Sequence, residues 1–363
     1  MENKKIPWWQ PQVEKEDYEF IKRALDANFV NEGPLTEEFE KKIAYFVGAK
    51  HAVATTSCTA AIFLSLKAVG VGQGDEVIVP DATFIATVNA VELAGAKPVL
   101  VDIDPETLAI SVEAIKKAIT PKTKAIIPVH VTGRGANMEA ILDIAKKNNI
   151  FVIEDAAEAL GSKHKGKFLG TLGSAGCFSF AANKTLATGQ GGMIVTDSDE
   201  VFKKLRPLKD HGRPVHGTGG DDTHDTIGYN FRMTDLQAAV GLGQFAHLKE
   251  RLQRMKKNYQ LYAENLKDIK EIKIFHSRSE EMPQWTDVAT DKRDELEKYL
   301  RGKNIDCRKY WHPIHRQLPY KLPDENFPVS SALLPKSLWL PSAFTLTDED
   351  VLRVCDEIKK FFW

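Results

Sequence analysis

The chain has 363 residues, of which 43% are hydrophobic and 27% charged, and its formal net charge at pH 7 is −1. This composition is typical of a soluble globular enzyme, and it excludes collagen-like, low-complexity and disordered chains. The near-zero net charge gives no electrostatic reason to expect nucleic acid or an anionic membrane as a partner. The length favours one large domain with a smaller one attached, because single hydrophobic cores stop growing at about 250–300 residues.

Targeting segments and metal motifs are not expected. The N-terminal stretch MENKKIPWWQ lacks the apolar segment of a signal peptide, and no run approaches the roughly 20 apolar residues of a membrane span. The four cysteines (Cys58, Cys177, Cys307 and Cys355) are far apart and form no CxxC pair, which argues against a disulfide framework and a zinc site. We therefore expect a cytoplasmic protein with reduced thiols and no metal.

Between residue 51 and about residue 200, short β-rich runs alternate with helical stretches. We predict strands in HAVATT, DEVIVP, KPVLVDI, KAIIPVHV, IFVIEDA, AGCFSFA and GGMIVTD. This alternation is typical of an α/β fold with a mostly parallel sheet covered by helices on both faces. The last two strands have no helix between them, and so short a link cannot make a parallel crossover, so we expect mixed strand direction there.

The pattern changes beyond about residue 234. Residues 234–268 read as one long helical stretch with Thr234 as its N-cap, and the remainder mixes short strands, Pro-rich loops and the closing helix DEDVLRVCDEIKKFF. We predict two domains. Residues 1–245 would form an N-terminal segment plus a large α/β domain, and residues 246–363 a small α+β domain.

Open α/β sheets bind ligands at the carboxyl ends of their strands, and several polar residues of this chain follow strands there. The run TTSCTAA places hydroxyls and free N–H groups at a helix start, which favours an anion such as phosphate, although a plain N-cap would use the same residues. Asp155 directly follows an apolar strand, so its carboxylate needs a cationic or N–H partner. That partner could belong to a ligand, or it could be a nearby lysine or arginine of the chain. Phe84 is a candidate for stacking on a ring or for the core.

The most specific feature is Lys184 in FSFAANKTLATGQGGMIV, a lysine between two runs that read as buried strands. Either its stem reaches solvent, or its amine is kept in a pocket. Desolvation favours the neutral amine, which is a competent nucleophile towards an aldehyde. A phosphate loop of the GxxxxGK[ST] type is disfavoured, because here the glycines follow the lysine. A phosphate anchor, a stacking ring, a carboxylate and a reactive lysine are what pyridoxal 5'-phosphate (PLP) needs.

With these motifs in this order, the chain resembles the DegT/DnrJ/StrS-type sugar aminotransferases nearly end to end. The matching segments are NEGPLTEEFE, TTSCTAA, VIVPDATFIATVNAV, PVLVDID, EDAAEALGS, FSFAANKTLATGQGGMIV, GYNFRMTDLQAAVGLGQ and LPSAFTLTDEDV. The resemblance implies PLP as cofactor and the fold type I architecture, with a mostly parallel, seven-stranded large domain and a smaller C-terminal domain. It also implies a homodimer whose two subunits share the active site.

The resemblance also implies roles for individual residues. Lys184 matches the Schiff-base lysine, and Asp155 matches the carboxylate that keeps the pyridine nitrogen protonated. The other cofactor-binding positions that it implies are Cys58, Thr59 and Ser179 at the phosphate, Asn230 reaching the phosphate from the neighbouring subunit, Phe84 over the ring and Glu158 near the ring hydroxyl.

The chain departs from the usual family pattern at three positions. Cys58 replaces a glycine, Glu158 replaces glutamine or histidine, and Arg134 stands in the loop HVTGRGANM, where the usual sequence is H-x-x-G-x-x-x-x-M. For substrate contacts we expect Asn31, Gly33, Arg134, His315 and Arg316. A Pro-rich surface loop is the alternative interpretation of the last two.

The expected reaction is transfer of an amino group from L-glutamate to a keto or aldehydo sugar, for cell-surface polysaccharide or amino-sugar biosynthesis. A nucleotide-linked deoxy keto sugar is the family's commonest acceptor, and an acidic keto sugar without a nucleotide is the alternative. Two other classes are a PLP lyase or dehydratase and a catalytically silent PLP-fold regulator. In the related sugar dehydratases a histidine replaces the lysine, so Lys184 favours transamination.

Overall fold

The computed structural model describes residues 4–214 and 222–363. Residues 1–3 and 215–221, which belong to the predicted first domain, lie outside the described residues. The helices are α1 (Lys15–Asp26), α2 (Pro34–Val47), α3 (Cys58–Ala68), α4 (Ile85–Leu93), α5 (Val112–Ala118), α6 (Met138–Asn148), α7 (Asp199–Lys209), α8 (Asp235–Ala246), α9 (Leu248–Leu266), α10 (Arg293–Gly302), α11 (Pro328–Leu333) and α12 (Asp348–Phe362).

The strands follow the same chain order. They are β1 (His51–Thr55), β2 (Glu76–Pro80), β3 (Lys97–Val101), β4 (Thr123–Ile126), β5 (Phe151–Asp155), β6 (Lys163–His164), β7 (Lys167–Phe168), β8 (Ala175–Ser179), β9 (Gly192–Thr196), β10 (Lys273–Ile274), β11 (Asp287–Ala289), β12 (Arg308–Lys309) and β13 (Ser337–Trp339). Single turns of 3₁₀ helix cover Val131–Gly133, Ile314–Arg316, Leu318–Tyr320, Asp324–Asn326 and Leu334–Lys336.

The large sheet has seven strands in the order β1-β9-β8-β5-β4-β2-β3. Each of the seven predicted runs supplies one of these strands. Strand β9 is antiparallel to β1 and to β8, and the other neighbouring pairs are parallel. The predicted mostly parallel sheet, with mixed direction at its last two strands, is therefore confirmed.

Helices cover both faces of the large sheet, which explains why its strands are apolar throughout. On one face α3, α4 and α7 pack in a core that includes Ile194 of β9. On the other face α2 and α8 pack against Met193 and Val195 of the same strand, and α5 and α6 cover the β4–β2–β3 end. Alternate residues of β9 thus point to opposite cores, as the period of two requires.

The predicted helical stretch at 234–268 is two helices, α8 and α9, which meet at His247 (φ −100°, ψ 0°). Thr234 is the N-cap of α8, as predicted, and its side chain accepts a hydrogen bond from the backbone N–H of Gln237. The break allows the two helices to pack against different parts of the chain. Helix α8 contacts α1 and α2, whereas α9 contacts α12.

A smaller antiparallel sheet, in the order β10-β11-β13-β12, lies in the C-terminal part of the chain. Its core is shared with α9, α10 and α12, and it also takes in Ile6, which forms a bridge to Ile305. The predicted boundary at residues 245 and 246 coincides with the end of α8 and stays a prediction. Among the described residues, no helix combines the length and apolar character needed to cross a bilayer.

Candidate active site

A cavity of about 320 Å³ lies where several strands of the large sheet end. The carboxyl ends of β1, β2, β5 and β8 lead into it, as expected for a ligand site in an α/β sheet. Its lining includes Ser57, Cys58, Thr59, Phe84, Thr87, Asp155, Glu158, Ser179, Lys184, Gln190, Trp285, Arg308 and Trp311. A larger cleft of about 500 Å³ beside α2 and α7 is lined by other residues and includes none of the predicted site residues.

The N-terminus of α3 forms one end of the cavity. Ser57 is its N-cap, and the Ser57 side chain accepts a hydrogen bond from the Ala60 N–H. The N–H groups of Cys58 and Thr59 are in the first turn, where a helix offers no internal acceptor, so they are free to bind an anion. Gly192 of β9 lies against this turn, because a Cβ atom there would be 2.4 Å from the carbonyl carbon of Ser57. The close approach requires a residue without a side chain.

Two further side chains at this end are suited to a phosphate. Burial raises the pKa of the Cys58 thiol well above its usual value, so the thiol stays neutral and does not repel an anion. The replacement of the usual glycine therefore keeps the backbone N–H groups and adds no charge. Ser179, at the end of β8, lines the cavity, and its Oγ accepts a hydrogen bond from the Ala181 N–H at 3.4 Å.

Asp155, at the end of β5, is a buried carboxylate without a cationic partner in hydrogen-bonding contact. Thr87 Oγ1 donates to its Oδ2 at 2.7 Å, and the Ala157 N–H donates to its Oδ1 at 3.1 Å. No ion pair to Asp155 occurs among the residues described. Burial raises the pKa of this carboxyl group. A cation in the cavity, such as a protonated ring nitrogen, would supply the missing charge.

The side chain of Lys184 is largely shielded from solvent, because only 11% of it is exposed. Nζ lies 3.2 Å from Glu158 Oε1 and 4.7 Å from the centroid of the Trp285 ring. The other carboxylate oxygen of Glu158 accepts the N–H of Thr132 at 2.8 Å. Burial raises the pKa of Glu158. The amine is thus kept inside the cavity between a carboxylate and an aromatic face.

Phe84 occupies the N-cap position of α4 and is 55% exposed, so it is a wall of the cavity and not a core residue. The structure therefore brings seven of the predicted cofactor residues to one cavity. They are Cys58, Thr59, Phe84, Asp155, Glu158, Ser179 and Lys184.

Six predicted residues are not part of this cavity lining, and the first three are Asn230, Asn31 and Gly33. Asn230 is exposed, and its side-chain oxygen accepts hydrogen bonds from Arg232 at 3.4 Å. The Asn31 carbonyl accepts the Asp235 N–H at 2.8 Å, and the Gly33 N–H donates to Asp235 Oδ1 at 2.8 Å. Asn31 and Gly33 therefore anchor the turn before α2 to the start of α8.

Arg134, also predicted to bind substrate, makes a buried ion pair. Its two terminal nitrogens each lie 2.6 Å from a carboxylate oxygen of Asp287, and its Nε donates to the Thr107 carbonyl at 3.1 Å. Burial alone would lower the pKa of Arg134, but the ion pair with Asp287 raises it above its usual value. Its charge is therefore already compensated by another part of the protein.

His315 and Arg316 are likewise not part of the cavity lining. The His315 ring is fully buried, with Nδ1 2.7 Å from Asp81 Oδ2 and Nε2 3.0 Å from Asp324 Oδ1. Arg316 pairs with the same Asp324. These residues dock the segment after β12 onto the end of β2.

Three lining residues come from the C-terminal part of the chain and were not predicted. They are Trp285, Arg308 and Trp311. Their positions in irregular segments and a two-residue strand give no periodicity from which a site could be inferred. Trp311 lies four residues before His315, so the segment that carries the predicted His315 and Arg316 does contribute to the cavity, although through a different side chain.

The cavity as a whole fits PLP. The N-terminus of α3 suits its phosphate, the exposed ring of Phe84 suits its aromatic ring, and the unpaired carboxylate of Asp155 suits its cationic nitrogen. Lys184 supplies the amine that would attach its aldehyde carbon.

Comparisons with known proteins agree with this fit. The model of the DegT/DnrJ/EryC1/StrS aminotransferase family matches residues 11–359. The GDP-perosamine synthase of Escherichia coli O157:H7 is 38% identical over 365 residues, which cover 99% of each protein. The structure of DesI, determined in the presence of its TDP-sugar product, is 30% identical with a TM-score of 0.90, over 99% of this chain and 93% of that chain.

A further solved structure contains the cofactor. The PLP form of Spr1654 from Streptococcus pneumoniae is 26% identical to this chain, with a TM-score of 0.93 over 98% of both chains. The family match over nearly the whole chain, the relatives and the cavity agree on one assignment. The chain belongs to the DegT/DnrJ/EryC1/StrS aminotransferase family and is a PLP-dependent transaminase.

Proposed function

We propose that this transaminase transfers an amino group from L-glutamate to a keto or aldehydo sugar that is linked to a nucleotide, in cell-surface polysaccharide or amino-sugar biosynthesis. The observation that carries the proposal is the buried amine of Lys184 in one cavity with the unpaired carboxylate of Asp155. The nucleotide is supported by the names of two relatives, one a GDP-perosamine synthase and the other crystallised with a TDP-sugar product.

The proposal assigns the residues that would hold PLP. The N–H groups of Cys58 and Thr59 and the Ser179 hydroxyl would bind the phosphate, with Asn230 contributed by the second subunit of a homodimer. Asp155 would bind the ring nitrogen, Glu158 the ring hydroxyl and Phe84 the ring face, and Lys184 would attach the cofactor covalently. When bound, PLP supplies an electron sink that stabilises negative charge on the substrate carbon.

Lys184 is also the proposed proton carrier. A lysine amine released from the cofactor can take a proton from the substrate carbon and return it, if it is held close to that carbon and kept partly dehydrated. The Glu158 carboxylate, 3.2 Å from Nζ, and the Trp285 ring, 4.7 Å from Nζ, restrict where the amine can lie. Thr132 fixes Glu158 in turn through its N–H.

The proposal is tested by measuring the two half-reactions separately. The PLP form of the enzyme is mixed with L-glutamate, and conversion to the pyridoxamine form is followed by absorbance together with release of 2-oxoglutarate. The pyridoxamine form is then mixed with GDP-linked keto sugars, TDP-linked keto sugars and acidic keto sugars without a nucleotide. We expect stoichiometric 2-oxoglutarate in the first step and return of the PLP form with a nucleotide-linked sugar in the second.

Two variants separate the reactive amine from other effects. Lys184→Ala should abolish both half-reactions without changing the circular dichroism spectrum. Lys163→Ala is the matched control, because Lys163 also lies over an aromatic ring, 4.4 Å from the Phe168 centroid, but outside the cavity. Turnover by Lys184→Ala at the wild-type rate would disprove the assignment of the amine. Ammonia release without pyridoxamine formation would instead indicate a lyase. A protein that reacts with no amino acid would be a silent regulator.

A further inference from the structure

Arg308 is a cationic residue of the cavity lining whose charge is not compensated by a carboxylate. Among the described lining residues, the cationic side chains are Lys184 and Arg308, and Lys184 is paired with Glu158. No carboxylate of the described chain lies within ion-pairing distance of Arg308, although the next residue, Lys309, pairs with Asp294. Arg308 is an exposed residue, and an exposed guanidinium that lines a cavity without a counter-ion is available to an anionic ligand.

Aromatic packing fixes the orientation of this guanidinium. Its Cζ lies 4.9 Å from the centroid of Trp8 and 5.6 Å from that of Trp339. Contact with ring faces uses the flat surface of a guanidinium and leaves its N–H edge free. The edge of Arg308 therefore remains available for two parallel hydrogen bonds to a carboxylate or a phosphate.

The same aromatic cluster connects Arg308 to the reactive lysine. Lys184 Nζ lies over Trp285, whose ring centroid is 5.3 Å from that of Trp8 and 4.9 Å from that of Trp339. The two cations thus contact the same cluster of indole rings and line the same cavity. A substrate whose reacting carbon is at Lys184 can place an anionic group, a few bonds away, at Arg308.

We propose that Arg308 is the residue that binds the anionic group of the substrate, which is a carboxylate of the amino donor or a phosphate of the nucleotide-linked sugar. This inference rests on the proposed function, because a transaminase binds donor and acceptor in turn in the same cavity. A single guanidinium with a free edge can then serve both. Arg308 is distinct from the predicted substrate arginines 134 and 316, whose charges are already paired.

The first experiment measures the half-saturating substrate concentration of each half-reaction in Arg308→Gln, with Lys309→Gln as the control from the same strand. Loss of a bidentate, charge-assisted contact should raise that concentration about 10- to 100-fold in at least one half-reaction. An increase with L-glutamate alone identifies the carboxylate, an increase with the sugar nucleotide alone identifies the phosphate, and an increase with both identifies a shared site. Arg308→Lys should recover part of the loss, because it keeps the charge but not the paired geometry.

A different result is expected if Arg308 only stabilises the fold and does not bind an anion. In that case Arg308→Gln would lower the melting temperature or the maximal rate and leave both half-saturating concentrations within about twofold of wild type, which is smaller than the loss of any charged hydrogen bond. That result would overturn the proposal, and so would weaker PLP binding as the sole effect.

A second experiment does not depend on the identity of the substrates. The PLP form is titrated with inorganic pyrophosphate and, separately, with glutarate, while tryptophan fluorescence is recorded, since Arg308 contacts Trp8 and Trp339. Wild type should bind at least one of these anions at least tenfold more tightly than Arg308→Gln. Equal affinities refute the anion site. If no sugar or amino acid reacts but this difference is seen, the proposed function fails and the anion site stands.

Discussion

Replacing Arg134 tests whether this residue binds substrate, as its position in the loop predicts, or holds two parts of the fold together. Its side chain is 3% exposed and that of Asp287 is 1% exposed, and two 2.6 Å contacts join them. Removing one partner of such a pair leaves the other charge buried and uncompensated, which costs about 3–5 kcal/mol of unfolding free energy. For 363 residues the unfolding entropy is roughly 0.8 kcal/mol/K, so Arg134→Met should lower Tm by roughly 4–6 °C.

The assay is calorimetry on Arg134→Met, Asp287→Leu and the double variant, together with substrate KM values. The double variant removes both charges and should recover most of the lost stability, because an apolar pair of similar volume replaces a buried ion pair at little cost. Arg301→Met is the control, because that side chain is 69% exposed and its loss should change stability by less than about 1 kcal/mol. An Arg134→Met single variant with normal Tm but a KM raised tenfold or more would refute the structural role and return Arg134 to the substrate site.

Three other variants test the site and its support. Because burial raises the pKa of Asp155 above that of a free carboxyl group, ionisation costs stability at neutral pH and not below about pH 4. Apo Asp155→Asn should therefore resist urea better than wild type at pH 7, lose that advantage at pH 4, and bind PLP more weakly. Gly192→Ala should weaken PLP binding at least tenfold by displacing the α3 turn, as measured by equilibrium dialysis, while Gly302→Ala, where a Cβ meets nothing within 4 Å, should not. His315→Asn should lower the unfolding free energy by about 2 kcal/mol in urea titrations, because it leaves the buried Asp81 without its ring partner.

The part of the fold that the sequence predicts is the part determined by local patterns. Each strand of the large sheet is an apolar run with a turn or helix on either side, and burial on both faces requires that composition. Residues directly after those runs, such as Asp155 and Thr59, could be placed at the cavity because the carboxyl ends of parallel strands lie at one edge of the sheet. The break at His247 had no local signal, because neither glycine nor proline interrupts the helical pattern there.

The roles of the charged residues could not be predicted because their partners are distant in sequence. Arg134 pairs with a carboxylate 153 residues away, and His315 with one 234 residues away. The local sequence around a single basic residue in a loop does not show whether its counter-ion is a substrate or another segment of the chain. Arg308 differs from Arg134 and His315, because it has no counter-ion among the described residues. Its place in a short strand gave no sign of this in the sequence.

These contacts also explain how the cavity obtains its second wall. The edge of the large sheet carries the reactive amine and groups suited to a phosphate and a ring nitrogen. Among its described lining residues, however, it has no uncompensated cation for a substrate. That wall, with Trp285, Arg308 and Trp311, comes from the C-terminal part of the chain. The ion pairs of Arg134 with Asp287 and of His315 with Asp81 join the segments next to this wall to the ends of the large-sheet strands. Arg134 and His315, two of the basic residues expected to contact substrate, thus hold this wall in position against the large sheet.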